Sequence, residues 1–295
     1  MRELSSTRSD GYRGYPAYEQ RSEAVTTTAH WTNWIVRDNK MSTLQNKTAL
    51  VTGASRGIGR ATAAALAGAG AHVLVHYGRS AQEAESLVSE IQAKGGRANP
   101  IPADLGTPNG SALLAEQVRS IVGERLDVLV LNAGISKAAR IADYTVEGFD
   151  NLFATNVRSP FFLVQQLLPI LGDGSNIIAI SSAVARTVVG KPGLENSSIL
   201  AYASTKGALE TLVKNWAAIL GSQGIRVNAV APGVIDTDMS NFAKTEAGRE
   251  VTLGMQALKR IGKPEDVADV VAFLASEAAR WITGASIPVD GGSKL

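Results

Sequence analysis

The chain has 295 residues, 45% of them hydrophobic and 19% charged, and a formal net charge of +2. That suffices for one large α/β domain with a sizeable core, and the near-neutral balance gives no electrostatic footprint for nucleic acid. There is no cysteine, which excludes disulfides and thiol catalysis and fits a cytoplasmic enzyme.

Residues 1–40 are polar, with little apolar periodicity, and read as a disordered N-terminal extension, an expression artefact or the product of an upstream start codon. Glu3, Asp10, Glu19, Glu23 and Asp38 argue against a transit peptide. Met41 opens the segment 41–295, read as one catalytic domain. Within it, short apolar runs alternate with helical patterns. Strands are expected over 48–52, 71–76, 98–102, 127–132, 176–181, 226–231 and 286–289. Helices are expected over 57–69, 81–94, 110–122, 146–171, 202–220 and 264–275. Apolar strands alternating with helices predict a single-domain, Rossmann-like, doubly wound parallel sheet with helices on both faces. Ligands of such sheets sit at the carboxyl ends of the strands. His72 and His76 flank Val73-Leu74-Val75 and read as strand-end residues; with His30 they form no cluster that would hold a metal. No apolar run reaches the roughly 20 residues of a membrane span. Ser293-Lys294-Leu295 would be a peroxisomal address only in a eukaryote.

Gly53, Gly57 and Gly59 follow the first strand and open the first helix. Glycine tightens the turn and lets backbone approach a pyrophosphate, which the helix N-terminus attracts. NAD-selective sites usually carry an acidic residue after the second strand, to hold the ribose 2′-OH. Here that strand runs into Gly78-Arg79-Ser80, with no carboxylate and a cation in its place. Arg56, inside the glycine-rich turn, is a second cation, and guanidinium suits a 2′-phosphate. The reading is therefore NADP(H) in preference to NAD(H). Tyr202 and Lys206 lie one helical turn apart, on one face. A phenol ionises near pH 10, too high for easy transfer at neutrality. A neighbouring ammonium is expected to lower that value and to suit the pair to acid/base work.

The spacing Gly-x3-Gly-x-Gly, together with Tyr202-x3-Lys206, resembles the short-chain dehydrogenase/reductase family in its single-domain form. Asp104-Leu105, Leu131-Asn132-Ala133-Gly134, Pro232-Gly233 and Val289-Asp290-Gly291-Gly292 occur in the family's order, and the likeness covers Lys47 to about Gly292. The general look is nearest to β-ketoacyl-[acyl-carrier-protein] reductases and glucose-dehydrogenase-like members. The resemblance implies Asn156, Ser182, Tyr202 and Lys206 as catalytic residues. Ser182 would polarise the substrate oxygen, Tyr202 would transfer the proton, and Asn156 would hold a water linking Lys206 to solvent. For the cofactor it implies Ser55, Ile58, Asp104, Leu105, Asn132, Ala133, Gly134, Pro232, Gly233, Ile235 and Thr237, beside the glycines, Arg56, Arg79, Tyr202 and Lys206. Leu131, where the family often has Asn, reads as a packing variant. The implied activity is hydride transfer between NADPH and a small-molecule carbonyl or secondary alcohol, most simply as a 3-oxoacyl-reductase-like ketoreductase. Alternatives are a sugar or polyol dehydrogenase, a lyase or epimerase of the extended group, and a non-catalytic NADP-binding regulator. A homotetramer or dimer through helices 146–171 and 202–220 is also implied. Substrate choice is expected from loops 183–201 and 236–262, the second acting as an apolar lid.

Overall fold

Successive strand residues face opposite sides, so strands apolar at every position bury themselves only beneath two helical layers. The computed structural model has that arrangement and describes residues 43–188 and 199–293. The N-terminal extension, the turns Lys191-Pro192-Gly193 and Asn196-Ser197-Ser198, and the final Lys294-Leu295 lie outside the described residues.

The strands are β1 (Thr48–Val51), β2 (His72–Tyr77), β3 (Arg97–Pro102), β4 (Val128–Leu131), β5 (Asn176–Ile180), β6 (Arg226–Pro232) and β7 (Ser286–Val289). They form one sheet in the order β3-β2-β1-β4-β5-β6-β7, parallel throughout. The helices are α1 (Gly57–Gly68), α2 (Ala81–Ala93), α3 (Gly110–Val122), α4 (Val146–Phe153), α5 (Ser159–Leu167), α6 (Leu200–Leu220), α7 (Glu246–Met255) and α8 (Pro264–Ala275). Ala49, Val51, Val73 and Val75 pack against α1, α2 and α8 on one side. Leu50, Leu74, Leu129 and Ile177 pack against α3, α5 and α6 on the other. Each fully buried Leu or Ile is worth about 1.5–3 kcal/mol. Exposed pairs such as Arg140–Asp143 contribute about 0–1 kcal/mol, so the two apolar layers hold the fold.

Two expectations need correction. The helix over 146–171 is not uniform: α4 and α5 are joined by a π-helical turn, Ala154–Arg158, and a short 3-10 turn follows over Leu168–Ile170. Pro160 has no N–H for the carbonyl of Asn156 four residues back, so the regular ladder cannot run through this point. The segment 236–262 is not simply a loop. It holds a 3-10 stretch, Asp238–Lys244, and then α7, whose N-cap Thr245 accepts from Gly248 N–H at 3.1 Å. Between β2 and β4, on either side of β1, the chain reverses its order across the sheet, and the crevice beyond β1 and β4 is where the motif residues gather.

Candidate active site

The glycine-rich turn is held by the strand ends beneath it. The Thr52 hydroxyl donates to the Val130 carbonyl at 3.1 Å and accepts the N–H groups of Asn132 and Ala133, both at 2.9 Å. Asn132 Nδ2 donates to the carbonyls of Thr52 and Gly53, at 2.8 and 3.1 Å. Gly53 and Gly57 adopt φ of +63° and +56°, left-handed values that favour glycine. A Cβ at Gly59 would lie 2.3 Å from the Gly53 carbonyl oxygen and 2.4 Å from Asn132 Nδ2, both already committed to the turn. Arg56 is the N-cap of α1 and makes no side-chain cap, so the first-turn N–H groups are left for an anion. Ser55 is buried beneath the turn, and Ile58 packs on the core. These residues fit a dinucleotide phosphate: a cradle shut to side chains and lined by backbone donors.

The neighbouring walls are built as tightly. Leu105 is buried, and Asp104 Oδ1 accepts from Gly106 N–H at 2.9 Å. Gly233 N–H donates to Val289 O at 3.0 Å, where a Cβ would meet Asp290 Cα at 2.8 Å. Pro232 closes β6, Ile235 is buried, and the Thr237 methyl lies against Gly57. Arg79 is exposed and unpaired among the described residues, and no carboxylate follows β2. Arg56 reaches Asp238 at 3.5 Å, both side chains being largely exposed. Leu131 is buried in the apolar layer at the end of β4, as a packing variant should be.

Tyr202 and Lys206 lie on α6, and Lys206 Nζ sits 5.6 Å from the Tyr202 ring centroid. Ser182, two residues beyond β5, lies beside the Tyr202 hydroxyl. Burial pushes the phenol up to about 12, with Ser182 pulling the other way. Burial also pushes Lys206 down to about 8, and its Nζ donates to Ile180 O at 2.7 Å. The expectation that Lys206 lowers the Tyr202 value is therefore corrected. Here desolvation outweighs the Ser182 contribution, and the phenol is held as a neutral acid.

Asn156 lies on the π turn, buried, with a fully used amide. Its Oδ1 accepts from Ile135 N–H at 2.9 Å, and its Nδ2 donates to Ile135 O at 2.9 Å and Thr205 Oγ1 at 3.0 Å. A Cβ at Gly134 would lie 3.3 Å from Asn156 Oδ1 and 3.6 Å from Lys206 Nζ, so Gly134 lets the two come together. Pro160 also denies the Asn156 main-chain carbonyl the N–H donor it would have in a regular α-helix.

Two residues escaped sequence reasoning. His76 does lie at the end of β2, next to its last residue, but it is buried there and bonded to the glycine-rich turn. Its signal was a polar residue inside an otherwise apolar strand. Glu210, two turns beyond Tyr202 on α6, accepts from Ser181 Oγ at 3.1 Å, Ser286 Oγ at 2.7 Å and Arg186 Nε at 2.7 Å. Its signal was a carboxylate on the same helix face as Tyr202 and Lys206.

A family model described as enoyl-(acyl carrier protein) reductase matches residues 53–294. Versicolorin reductase of Emericella nidulans is 41% identical over 261 residues, covering 85% of this chain and 96% of that protein. The 3-oxoacyl-[acyl-carrier-protein] reductase of Staphylococcus epidermidis is 41% identical, covering 84% of this chain and 98% of its own. Among solved structures, the angucycline C-6 ketoreductase LanV with bound NADP matches with a TM-score of 0.79 and 42% identity, over 86% of this chain and 98% of that one. LanV has also been solved with NADP and rabelomycin.

Proposed function

The chain belongs to the short-chain dehydrogenase/reductase family, and from that premise we propose that it is an NADPH-dependent ketoreductase acting on a small-molecule carbonyl. The observation that carries this reading is the Ser182–Tyr202 pair of hydroxyls beyond β5, backed by Lys206 and set beside the glycine-rich turn. When bound, NADPH supplies the hydride for the carbonyl carbon. Everything else falls to the protein. Ser182 and Tyr202 bond the carbonyl oxygen and stabilise the charge that develops on it. Tyr202, kept neutral by burial, gives that oxygen its proton. Lys206 restores the Tyr202 proton, and Asn156 holds the water that resupplies Lys206. In oxidation the same residues carry the proton in reverse.

The turn Gly53, Ser55, Arg56, Gly57, Ile58, Gly59 takes the pyrophosphate, and Arg56 and Arg79 take the 2′-phosphate. Asp104, Leu105, Asn132, Ala133 and Gly134 line the adenine half. Pro232, Gly233, Ile235 and Thr237, with Tyr202 and Lys206, line the nicotinamide half. LanV was solved with NADP, which supports this preference.

The substrate is proposed to be a fused aromatic ketone. Versicolorin reductase and LanV with rabelomycin support that reading, as do the exposed apolar side chains Ile135, Met239 and Phe242 on the segments around the site. The 3-oxoacyl thioester reading is supported by the Staphylococcus relative. NADPH consumption with polycyclic ketones, β-ketoacyl thioesters, sugars and small ketones decides between them. Polycyclic ketones should be reduced fastest, and faster with NADPH than with NADH. Faster reduction of the thioester would overturn the substrate class, and no turnover of any carbonyl would overturn the reductase.

Residues 41–295 are proposed as the catalytic domain, with 1–40 an extension to it. A cytoplasmic homotetramer or dimer is proposed as well. Phe161, Phe162 and Ile219, exposed on α5 and α6, support assembly through those helices, and a monomer by light scattering would contradict it. No helix among the described residues is long and apolar enough to cross a membrane.

A further inference from the structure

His76 is a polar side chain in the interior of the cofactor half, and no step above uses it. It is 2% exposed. Its Nδ1 accepts the Gly53 N–H at 2.9 Å, and its Nε2 lies 3.1 Å from the Ala103 carbonyl oxygen. A carbonyl can only accept, so Nε2 carries the proton and Nδ1 the lone pair. Gly53 opens the glycine-rich turn after β1, and Ala103 immediately precedes Asp104 after β3. The His76 main-chain carbonyl takes a third bond, from Ala54 N–H at 2.8 Å. One imidazole therefore spans the two backbone segments that flank the crevice at the end of β2.

We propose that His76 is a positioning residue for the dinucleotide: as the Nε2–H tautomer, it fixes the first glycine of the phosphate-binding turn against the loop that carries Asp104. Gly53 cannot be held by its own side chain, and its φ of +63° is a conformation the unrestrained chain can leave. Pinning its N–H from below removes that freedom before the cofactor arrives, so less ordering is left for binding to supply. The imidazole suits this task because it presents an acceptor and a donor at opposite ends of one rigid ring. Burial drives its pKa down to about 4, which keeps the lone pair available at neutral pH.

The inference rests on the NADPH reading, and the test separates the two. NADPH affinity is measured by fluorescence titration on the wild type, His76→Asn, His76→Gln and His76→Leu, with thermal melting and steady-state kinetics alongside. The Asn amide oxygen falls near Nδ1 and retains the Gly53 bond. The Gln amide nitrogen falls near Nε2 and retains only the Ala103 bond. His76→Asn should bind NADPH within about threefold of wild type, and His76→Gln and His76→Leu about tenfold or more weakly. The loss of affinity should exceed any loss of kcat, and the KM for the ketone should follow kcat rather than NADPH affinity. Wild type that binds no NADPH overturns the cofactor reading itself. Wild type that binds, with Asn and Gln variants of equal affinity, overturns the positioning role. So does a loss of affinity matched by an equal fall in kcat. If His76→Leu does not fold, the Asn and Gln pair decides alone.

Discussion

The two walls of the crevice are built by opposite rules. On the cofactor side, Thr52, Asn132, His76 and Gly53 are joined by short hydrogen bonds between backbone and buried or half-buried side chains, and glycines stand where no Cβ fits. On the side proposed for the substrate, Met239 and Phe242 are exposed on a 3-10 stretch. Its surface ties are the Arg56–Asp238 and Lys244–Asp236 pairs, at 3.5 and 3.9 Å between exposed side chains. A wall of cross-bonded backbone has one arrangement and little tolerance. A wall of exposed apolar side chains over weak pairs can change without disturbing the sheet. Chemistry shared by a family suits the first kind of wall, and substrate choice suits the second.

The sharpest way to break this contrast is within a single helix. Gly59→Ala should weaken NADPH binding by more than about tenfold, because its methyl meets committed backbone and amide atoms. At Gly68, at the far end of α1, a Cβ meets nothing within 4 Å, so Gly68→Ala should instead raise stability by up to about 1 kcal/mol. Equal NADPH titrations for the two variants would erase the distinction.

Acid should attack the cofactor wall next. His76 in the folded chain has its pKa lowered from 6.5 to about 4, so the unfolded chain binds a proton first as the pH falls. Its contribution is fully present above pH 6.5 and is lost as the pH falls toward 4, by about 3 kcal/mol in all. Denaturant melts at pH 7 and pH 4.5 should show less acid destabilisation in His76→Asn than in wild type. Parallel curves would mean that the imidazole is not held neutral.

On the other wall the effects should be smaller and confined. Phe242→Ala should raise the KM for an apolar ketone about three- to tenfold, with NADPH titration unchanged. A shift in NADPH affinity as large as the shift in KM would join the two walls again. Asp238→Asn removes only an exposed pair and should alter stability by less than about 1 kcal/mol. A larger fall in the melting temperature would show that the pair is a structural tie.

The sheet was legible in the sequence because apolar runs and Ala-rich periodicities state their own geometry. The helices over 110–122 and 264–275 and the strand over 286–289 fall where the periodicity puts them. Irregular backbone was not legible. The π turn at Ala154–Arg158 depends on Pro160 and on bonds from Asn156 to Ile135 and Thr205, distant in sequence. α7 was hidden because its polar composition resembles a loop, and its start is marked only by the Thr245 cap. The proposed catalytic residues stand out in the sequence as a spaced pattern, but their electrostatics do not. Spacing places an ammonium beside a phenol, whereas burial, which decides the sign of the phenol's shift, is a property of the packed molecule.

The central claim is that the Tyr202 hydroxyl gives its proton to the substrate oxygen. Its most direct test is single-turnover reduction of a polycyclic ketone by Tyr202→Phe, with NADPH affinity measured on the same preparation. The rate should fall by about 10²–10⁴-fold while NADPH binding stays close to that of wild type. A variant that still reduces the ketone at the wild-type rate would contradict it.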